Sequence, residues 1–235
     1  MNNIRLFFKE SLSNNLTGEL NKDQSHYLLK VMRIKKGDKF NLFNENGEWV
    51  AYFDSIKSGL VNFELGKQIR SKEHKNELWL AFSPIKSNFF NFMIQKTTEL
   101  GVTNFIPIIF DRSVVRKINL ERLRKIVVEA SEQSNRINIP NIEEPTTLVK
   151  FLNRNVEKMN LIFTDLNSKN TNLDNKKLLT KPNCVIIGPE GDFSEPERVE
   201  ISKFKDIYKL SLSENILRSE TAAISAISIV GYELN

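Results

Sequence analysis

Between Leu210 and Val230 the chain reads LSLSENILRSETAAISAISIV. The first half sets Ser211, Ser213, Glu214, Asn215, Arg218, Ser219 and Glu220 beside apolar Leu212, Ile216 and Leu217. From Thr221 onward it mixes Ala, Ile and Ser without a charge, as a helix buried on most sides would. Two further segments, Thr164-Asp165-Leu166 and Gly188-Pro189-Glu190-Gly191, close the apolar runs NLIFTD and CVIIGPEG. In open α/β sheets ligands bind outside the carboxyl ends of strands, so these three segments are the candidate site.

Other chemistries lose support. No G-x-G-x-x-G follows a strand and no G-x-x-x-x-G-K-[ST] occurs, which argues against dinucleotide and P-loop sites. There is no G-x-S-x-G elbow and no histidine after His74, which removes a Ser-His-Asp triad. Two histidines, His26 and His74, and the single Cys184 make a zinc site unexpected and an internal disulfide impossible. No run approaches the ~20 apolar residues of a membrane span, and the opening MNNIRLFFKESL lacks the pattern of a secretory signal. A cytoplasmic protein is expected. The net charge of +5 is compatible with a nucleic-acid partner without demonstrating one.

The elements that must position the site change character along the chain. The first seventy residues predict a small β-barrel: KFNLFN and EWVAYFDSI flank Asn46-Gly47, and LVNFEL follows across Ser58-Gly59. One helix interrupts them, from about Asp23 to Arg33. On it His26, Lys30 and Arg33 share a face that is either solvated or phosphate-binding. The polar stretch RSKEHKNE places a boundary between residues 72 and 73. Beyond it strands and helices alternate. LWLAF is a strand, Ser87 caps a helix through Leu100 that Gly101 ends, and NFIPIIF is the next strand. NLERLRKIVVEASEQSNR is a helix, Ser194 to Glu197 is a capping box, and IYKLSL is the last strand. This alternation predicts an α/β domain with a mostly parallel sheet and helices on both faces.

The run IGPEGDFSEPE, then a strand, then LSLSENILRSETA resembles the ribosomal RNA small subunit methyltransferase E family, among the trefoil-knotted (SPOUT) methyltransferases. The likeness extends to TELGV (Thr98–Val102), EASEQSNR (Glu129–Arg136), RLFF (Arg5–Phe8) and HYLLKVMR (His26–Arg33), and so covers nearly the whole chain. It implies a PUA-like β-barrel over residues 1–72 that binds RNA and a knotted α/β methyltransferase domain over 73–235. It also implies S-adenosylmethionine as cofactor, no metal, a homodimer, and methylation of N3 of a uridine in 16S ribosomal RNA of the small subunit. Two alternatives are another RNA position, including tRNA, and a non-catalytic RNA-binding protein of the same fold.

Carried onto this chain, the resemblance makes Thr164, Leu166, Ile187, Gly188, Pro189, Glu190, Gly191, Leu210, Leu212, Asn215, Ile216 and Leu217 the cofactor-binding residues. Arg5, His26, Lys30 and Arg33 become the RNA contacts. Gly188 and Gly191 would let backbone approach the ribose. Arg218 is the candidate to stabilise negative charge as N3 loses its proton, because guanidinium stays protonated and offers several donors. Glu220, Glu190 or equally a water is a candidate base, although Glu220 also suits a first helical turn. A threaded last helix would be enclosed, with Ala222, Ala223 and Ala226 admitting neighbouring backbone and Ile224, Ile227 and Ile229 filling space. Two positions depart from the family pattern: Asp192 stands at a usual glycine, and Ser213 replaces the glycine of a common Leu-Gly pair.

Overall fold

The structure is a computed structural model and describes residues 4–72, 76–155, 157–165, 168, 173, 178 and 180–234. It divides into two units: Met1–His74 with Ser131–Ile139, and Lys75–Ala130 with Pro140–Asn235.

The first unit is built on β1 (Arg5–Phe7), β2 (Thr17–Glu19), β3 (Lys39–Asn44), β4 (Gly47–Lys57) and β5 (Leu60–Ser71), hydrogen-bonded in the order β1-β3-β4-β5-β2. β1 runs parallel to β3 and the other ladders are antiparallel. Strand alternation sends Trp49, Ala51 and Phe53 of β4 and Val61, Phe63 and Leu65 of β5 into one core, with Leu28, Phe40 and Leu42. Three register shifts between β4 and β5 are the kind of irregularity that bends a sheet. Gly47 is required at the β3–β4 turn: its φ is +145°, and a Cβ there would lie 2.3 Å from the Arg70 carbonyl oxygen.

The expected helix is shorter and changes type. α1 (Lys22–His26) is capped by Asn21 and passes into a π-helical turn over Tyr27–Val31. The Met32 N–H reaches the Tyr27 carbonyl and the Ile34 N–H reaches that of Leu28, with Arg33 left-handed at φ 55° between them. Arg33 is therefore the stop of the helix and not part of its face. His26 and Lys30 remain exposed on helical turns.

Arg5 overturns its expected role. Its Nε and Nη2 donate to the two carboxylate oxygens of Glu48 at 3.0 and 3.1 Å. Nη1 donates to the carbonyls of Ser131 and Glu132, and Nη2 also donates to that of Arg136. All five guanidinium donors are thus taken inside the protein, and the residue is 7% exposed. No donor is left for a phosphate. Glu48, 1% exposed, also accepts from Asn41 Nδ2 at 2.7 Å and Arg70 Nη1 at 3.2 Å.

The second unit holds β6 (Leu78–Phe82), β7 (Asn104–Ile109), β8 (Asn141–Ile142), β9 (Thr146–Thr147), β10 (Asn160–Thr164), β11 (Asn183–Ile187) and β12 (Ile207–Leu210). They form a parallel sheet in the order β12-β10-β11-β6-β7-β8, with β9 also paired to β7. Among the described residues its helices are α2 (Ser87–Glu99), α3 (Leu120–Gln133, whose residues from Ser131 on fall in the first unit), α4 (Leu148–Asn155), α5 (Glu195–Ser202) and α6 (Ser219–Glu233). α2 starts one residue from its expected cap: Lys86 is the N-cap and Ser87 the first helical residue. The capping box of α5 forms as read, with Ser194 Oγ accepting from the Glu197 N–H and Glu197 Oε2 from the Ser194 N–H. On one sheet face Phe151, Leu152, Ile201 and Phe204 of the α4 and α5 region pack on Ile106, Leu161, Phe163 and Ile186. α6 packs on α2 and against β11 and β6.

α6 is not enclosed on every side. Ser219, Ala223, Ala226, Ile227 and Val230 are buried, Ala222, Ile224 and Ile229 half-buried, and Tyr232 exposed. Among the described residues no helix is long and apolar enough to cross a membrane.

Removing one partner of a buried, hydrogen-bonded ion pair strands the other charge, at a cost of roughly 3–5 kcal/mol. Arg5→Ala leaves Glu48 with Asn41 and Arg70, so a loss of about 3 kcal/mol is expected. Denaturant unfolding read by Trp49 fluorescence in a Trp79→Phe background measures it. A loss below about 1 kcal/mol, the range of exposed pairs, would show that the pair does not hold this unit together.

Candidate functional site

Parallel pairing brings three strand ends to one edge of the sheet. Thr164 at the end of β10 pairs with Leu210 at the end of β12, and Phe163 pairs with Ile186 of β11. The loops leaving these ends surround a cavity of about 400 Å³, within the range of small-molecule sites. Thr164, Ile187, Gly188, Pro189, Glu190, Leu210, Leu212, Asn215, Ile216, Leu217, Arg218 and Glu220 all line it. Of the other expected residues, Leu166 lies outside the described residues. Gly191 is not on the cavity wall; its carbonyl accepts from Arg112 Nη1 at 2.9 Å.

Eight residues to which sequence reasoning gave no site role also line the cavity: Phe89, Asp165, Asp192, Phe193, Ser211, Ser213, Ser219 and Ala222. Ser219 Oγ donates to the Gly188 carbonyl at 3.3 Å and joins the start of α6 to the end of β11. Asp165 accepts from Arg198 Nη1 at 2.7 Å, and the same guanidinium binds Asp192 through Nη2 at 2.5 Å. One arginine on α5 thereby ties the loop after β10 to the loop after β11. Burial alone would lower the Arg198 pKa, but Asp192 and Asp165 outweigh it and hold it above its ordinary value. Phe89 comes from α2, remote in sequence from the ends of β10, β11 and β12; no motif or spacing marks it.

The two departures from the family pattern resolve differently. Asp192 has φ 63°, the left-handed conformation that glycine adopts without penalty. Its carboxylate accepts from the following N–H, that of Phe193, at 2.8 Å, a local bond of the kind that lets Asp occupy this region. Ser213 is not among the residues with positive φ, and its Oγ accepts from the Asn215 N–H at 3.0 Å. Its backbone does not call for glycine.

Gly188 is needed for a reason the sequence hid. A Cβ there would lie 2.7 Å from Phe193 Cε2. That ring is held edge-on between Phe110 and Phe163, with centroids 5.3 and 5.1 Å away.

Arg218 is the N-cap of α6 and is exposed. Among the described residues its guanidinium makes one contact, over the Phe89 ring at 5.7 Å from the centroid. Glu220 sits in the first turn of α6, half-buried, and Glu190 is exposed after β11. The site thus sets an exposed cation and two carboxylates, Glu220 and Glu190, on the wall of the cavity. Among the described residues there is no cluster of side chains able to hold a metal ion.

A parallel sheet with a pocket at its strand ends, preceded by a small β-rich unit, defines a class that comparison with known proteins identifies. Residues 72–231 match the profile of an RNA methyltransferase domain, and residues 20–65 that of an RNA methyltransferase PUA domain. The chain belongs to the ribosomal RNA small subunit methyltransferase E family. It is 35% identical to the member from Rickettsia conorii, across 96% of this chain and 94% of that one. The solved structure of the Neisseria gonorrhoeae member, bound to S-adenosyl methionine, superposes with TM-score 0.89 at 25% identity over 98% and 97% of the two chains. A Legionella pneumophila methyltransferase, also with bound cofactor, gives 0.86 at 28% over 99% and 98%.

Overpacking a filled site costs about 1–3 kcal/mol, so Gly188→Ala should destabilise the second unit by that much. Phe193→Leu makes the cause visible. In a double-mutant cycle followed by denaturant unfolding, the two substitutions should couple by about 1 kcal/mol or more. Strictly additive effects would remove the ring as the reason for glycine.

Proposed function

We propose that this chain transfers a methyl group from S-adenosylmethionine to N3 of a uridine in 16S ribosomal RNA of the small subunit. The observation that carries this reading is the cavity at the ends of β10, β11 and β12, with Arg218 at its rim. The cavity fits the cofactor: Leu212, Ile216 and Leu217 offer apolar surface, and the β12–α6 loop offers backbone groups for an adenine edge. When bound, S-adenosylmethionine supplies an already activated methyl group, so the reaction calls for no metal.

What the protein must add is positioning and charge. Uracil N3 bears a proton, and its lone pair attacks well only as that proton leaves. The N3–carbon bond then forms as the carbon–sulfur bond breaks, and the proton passes to a base. Negative charge grows on the two base oxygens as the proton departs, and the exposed guanidinium of Arg218 at the rim can stabilise it. Glu220, Glu190 or a water held between them accepts the proton. Glu220 also favours the positive end of α6, so its two roles must be separated by experiment.

The same reading places a PUA-like RNA-binding domain over residues 1–72, with His26 and Lys30 toward phosphate, and a knotted domain over 73–235. Support for the knot comes from topology: β10 lies between β12 and β11, and the chain after β12 returns to pack α6 on α2. A cytoplasmic setting suits the reduced, buried Cys184. A homodimer is included, supported by large apolar side chains exposed on α2 and α6, Phe92 and Tyr232.

The deciding assay is methyl transfer to small subunits from a strain lacking this protein, followed by mapping of the modified nucleotide. N3-methyluridine in 16S RNA is the expected product. Methylation of tRNA, methylation elsewhere, or none with intact cofactor binding would each replace the reading. At saturating cofactor and RNA, Arg218→Ala should lower the single-turnover rate about a hundredfold, on the order of 3 kcal/mol, and Arg218→Lys should recover part. Near-wild-type rates would remove Arg218 from the chemistry. Glu220→Gln should give a large loss that lessens at high pH if Glu220 is the base. As a helix-end charge alone it would cost at most about 1 kcal/mol of stability.

Light scattering should give twice the 27.2 kDa chain mass, and Phe92→Glu with Tyr232→Asp should shift it to the single mass. An active monomer in the unsubstituted protein would discard the dimer.

A further inference from the structure

α2 opens with two consecutive phenylalanines that face different surroundings. Phe90 is buried and packs on Phe82 with centroids 5.6 Å apart. Phe89 is 48% exposed, lines the cavity, and carries the Arg218 guanidinium over its ring. Single exposed apolar residues are common and need no explanation. This one differs because it stands at the rim of a site and is the sole described contact of a cation there.

Uridine N3 lies on the pairing edge of the base. To present it to a recessed cavity, a nucleotide in folded RNA must leave its stack, and the lost stacking has to be replaced. An aromatic ring does this for any base, at about 1–3 kcal/mol per base. The apolar residues of the β12–α6 loop, Leu212, Ile216 and Leu217, are aliphatic. Phe89 comes from another element and is tied to Arg218.

We infer that Phe89 is the platform on which the target base stacks, holding the uracil where Arg218 can reach its oxygens. This rests on the uridine-methyltransferase reading above and assigns a nucleobase-binding role to a residue at the rim of the cavity. The ring supplies affinity without hydrogen bonds, so selectivity for uracil falls to Arg218 and the cavity edge. Holding Arg218 against the ring before RNA arrives also limits the freedom that a long side chain would otherwise lose on binding.

The test is a cycle of binding measurements, made with the demethylated cofactor product so that no turnover is needed. Small subunits are reconstituted with 16S RNA carrying either the mapped target uridine or an abasic nucleotide at that position. Wild type should bind the uridine particle more tightly by roughly fivefold to a hundredfold. With the demethylated product kept saturating for each variant, Phe89→Leu should lose most of that preference while keeping its affinity for the abasic particle. Phe89→Trp, which keeps a stacking face, should retain the preference.

Equal weakening of both particles by Phe89→Leu would overturn the platform, since a general loss is not base stacking. So would an unchanged preference, or a change in molecular mass that accounts for the loss as a broken protein interface. If wild type methylates no uridine at N3, the functional reading fails and this inference with it. If methylation proceeds and the preference ignores Phe89, the platform alone is wrong.

Discussion

The site depends on the register of three parallel strands. β10 lies between β12 and β11, and its last residue, Thr164, is level with Leu210. Phe163 pairs with Ile186, so Ile187 ends β11 within a residue of the same line. A parallel sheet buried on both faces fixes this register, because slipping a strand by one residue would turn its Leu, Ile and Phe side chains to the wrong layer. Every cavity residue after these ends inherits its position from that alignment. Thr164 adds a lock: its Oγ1 donates to the Ile186 carbonyl at 2.9 Å, bonding the ends of two strands side chain to backbone.

Beyond the strand ends the loops lack ladder hydrogen bonds, and polar contacts hold them instead. Arg198 spans Asp165 and Asp192, Ser219 reaches Gly188, and Arg112 reaches Gly191. Asp192 shows how such a network changes the price of a backbone conformation. A left-handed non-glycine residue costs about 1–2 kcal/mol, and here the bond to the Phe193 N–H and the pair with Arg198 offset it. The departure from glycine is thus tied to α5 supplying Arg198 beside this loop. Arg218 stands outside the network, which is what leaves its charge available.

Much of this was legible in sequence. Strand–helix alternation gave the parallel sheet, and the strand-end rule with the family resemblance found most of the cavity wall. The Ser194–Glu197 box formed as read, and the β3–β4 hairpin formed where expected but one residue early, its turn being Glu45-Asn46 with Gly47 opening β4; both signals are local. What sequence reasoning missed needs tertiary information. Phe89 reaches the cavity because α2 packs on α6, and Gly188 is constrained by a ring held by Phe110 and Phe163. The helix over 23–33 failed at its end, where no glycine marks the left-handed stop and Arg33 takes it instead. The enclosed helix was overestimated for a related reason: an uncharged sequence reports low polarity on all faces but not which faces have neighbours.

Arg5 carries the widest lesson, since its motif was read correctly and its role was not. RLFF and EASEQSNR lie about 125 residues apart in the chain, yet within the first unit they form a single joint. Arg5 donates to the carbonyls of Ser131, Glu132 and Arg136, the Phe7 N–H donates to Glu132 Oε1 at 2.8 Å, and Arg70 reaches the Asn135 carbonyl at 2.9 Å. These carbonyls belong to the end of α3 and the turn after it, groups that a helix leaves without internal partners. A planar, permanently charged fork with five donors suits several such acceptors at once, where a lysine would offer three donors from a single point. The cation that the family resemblance assigned to RNA is spent on the protein's own backbone, and Glu48 balances its charge within the same buried cluster. A basic residue in a nucleic-acid enzyme is thus no pointer to the nucleic acid until its donors have been counted.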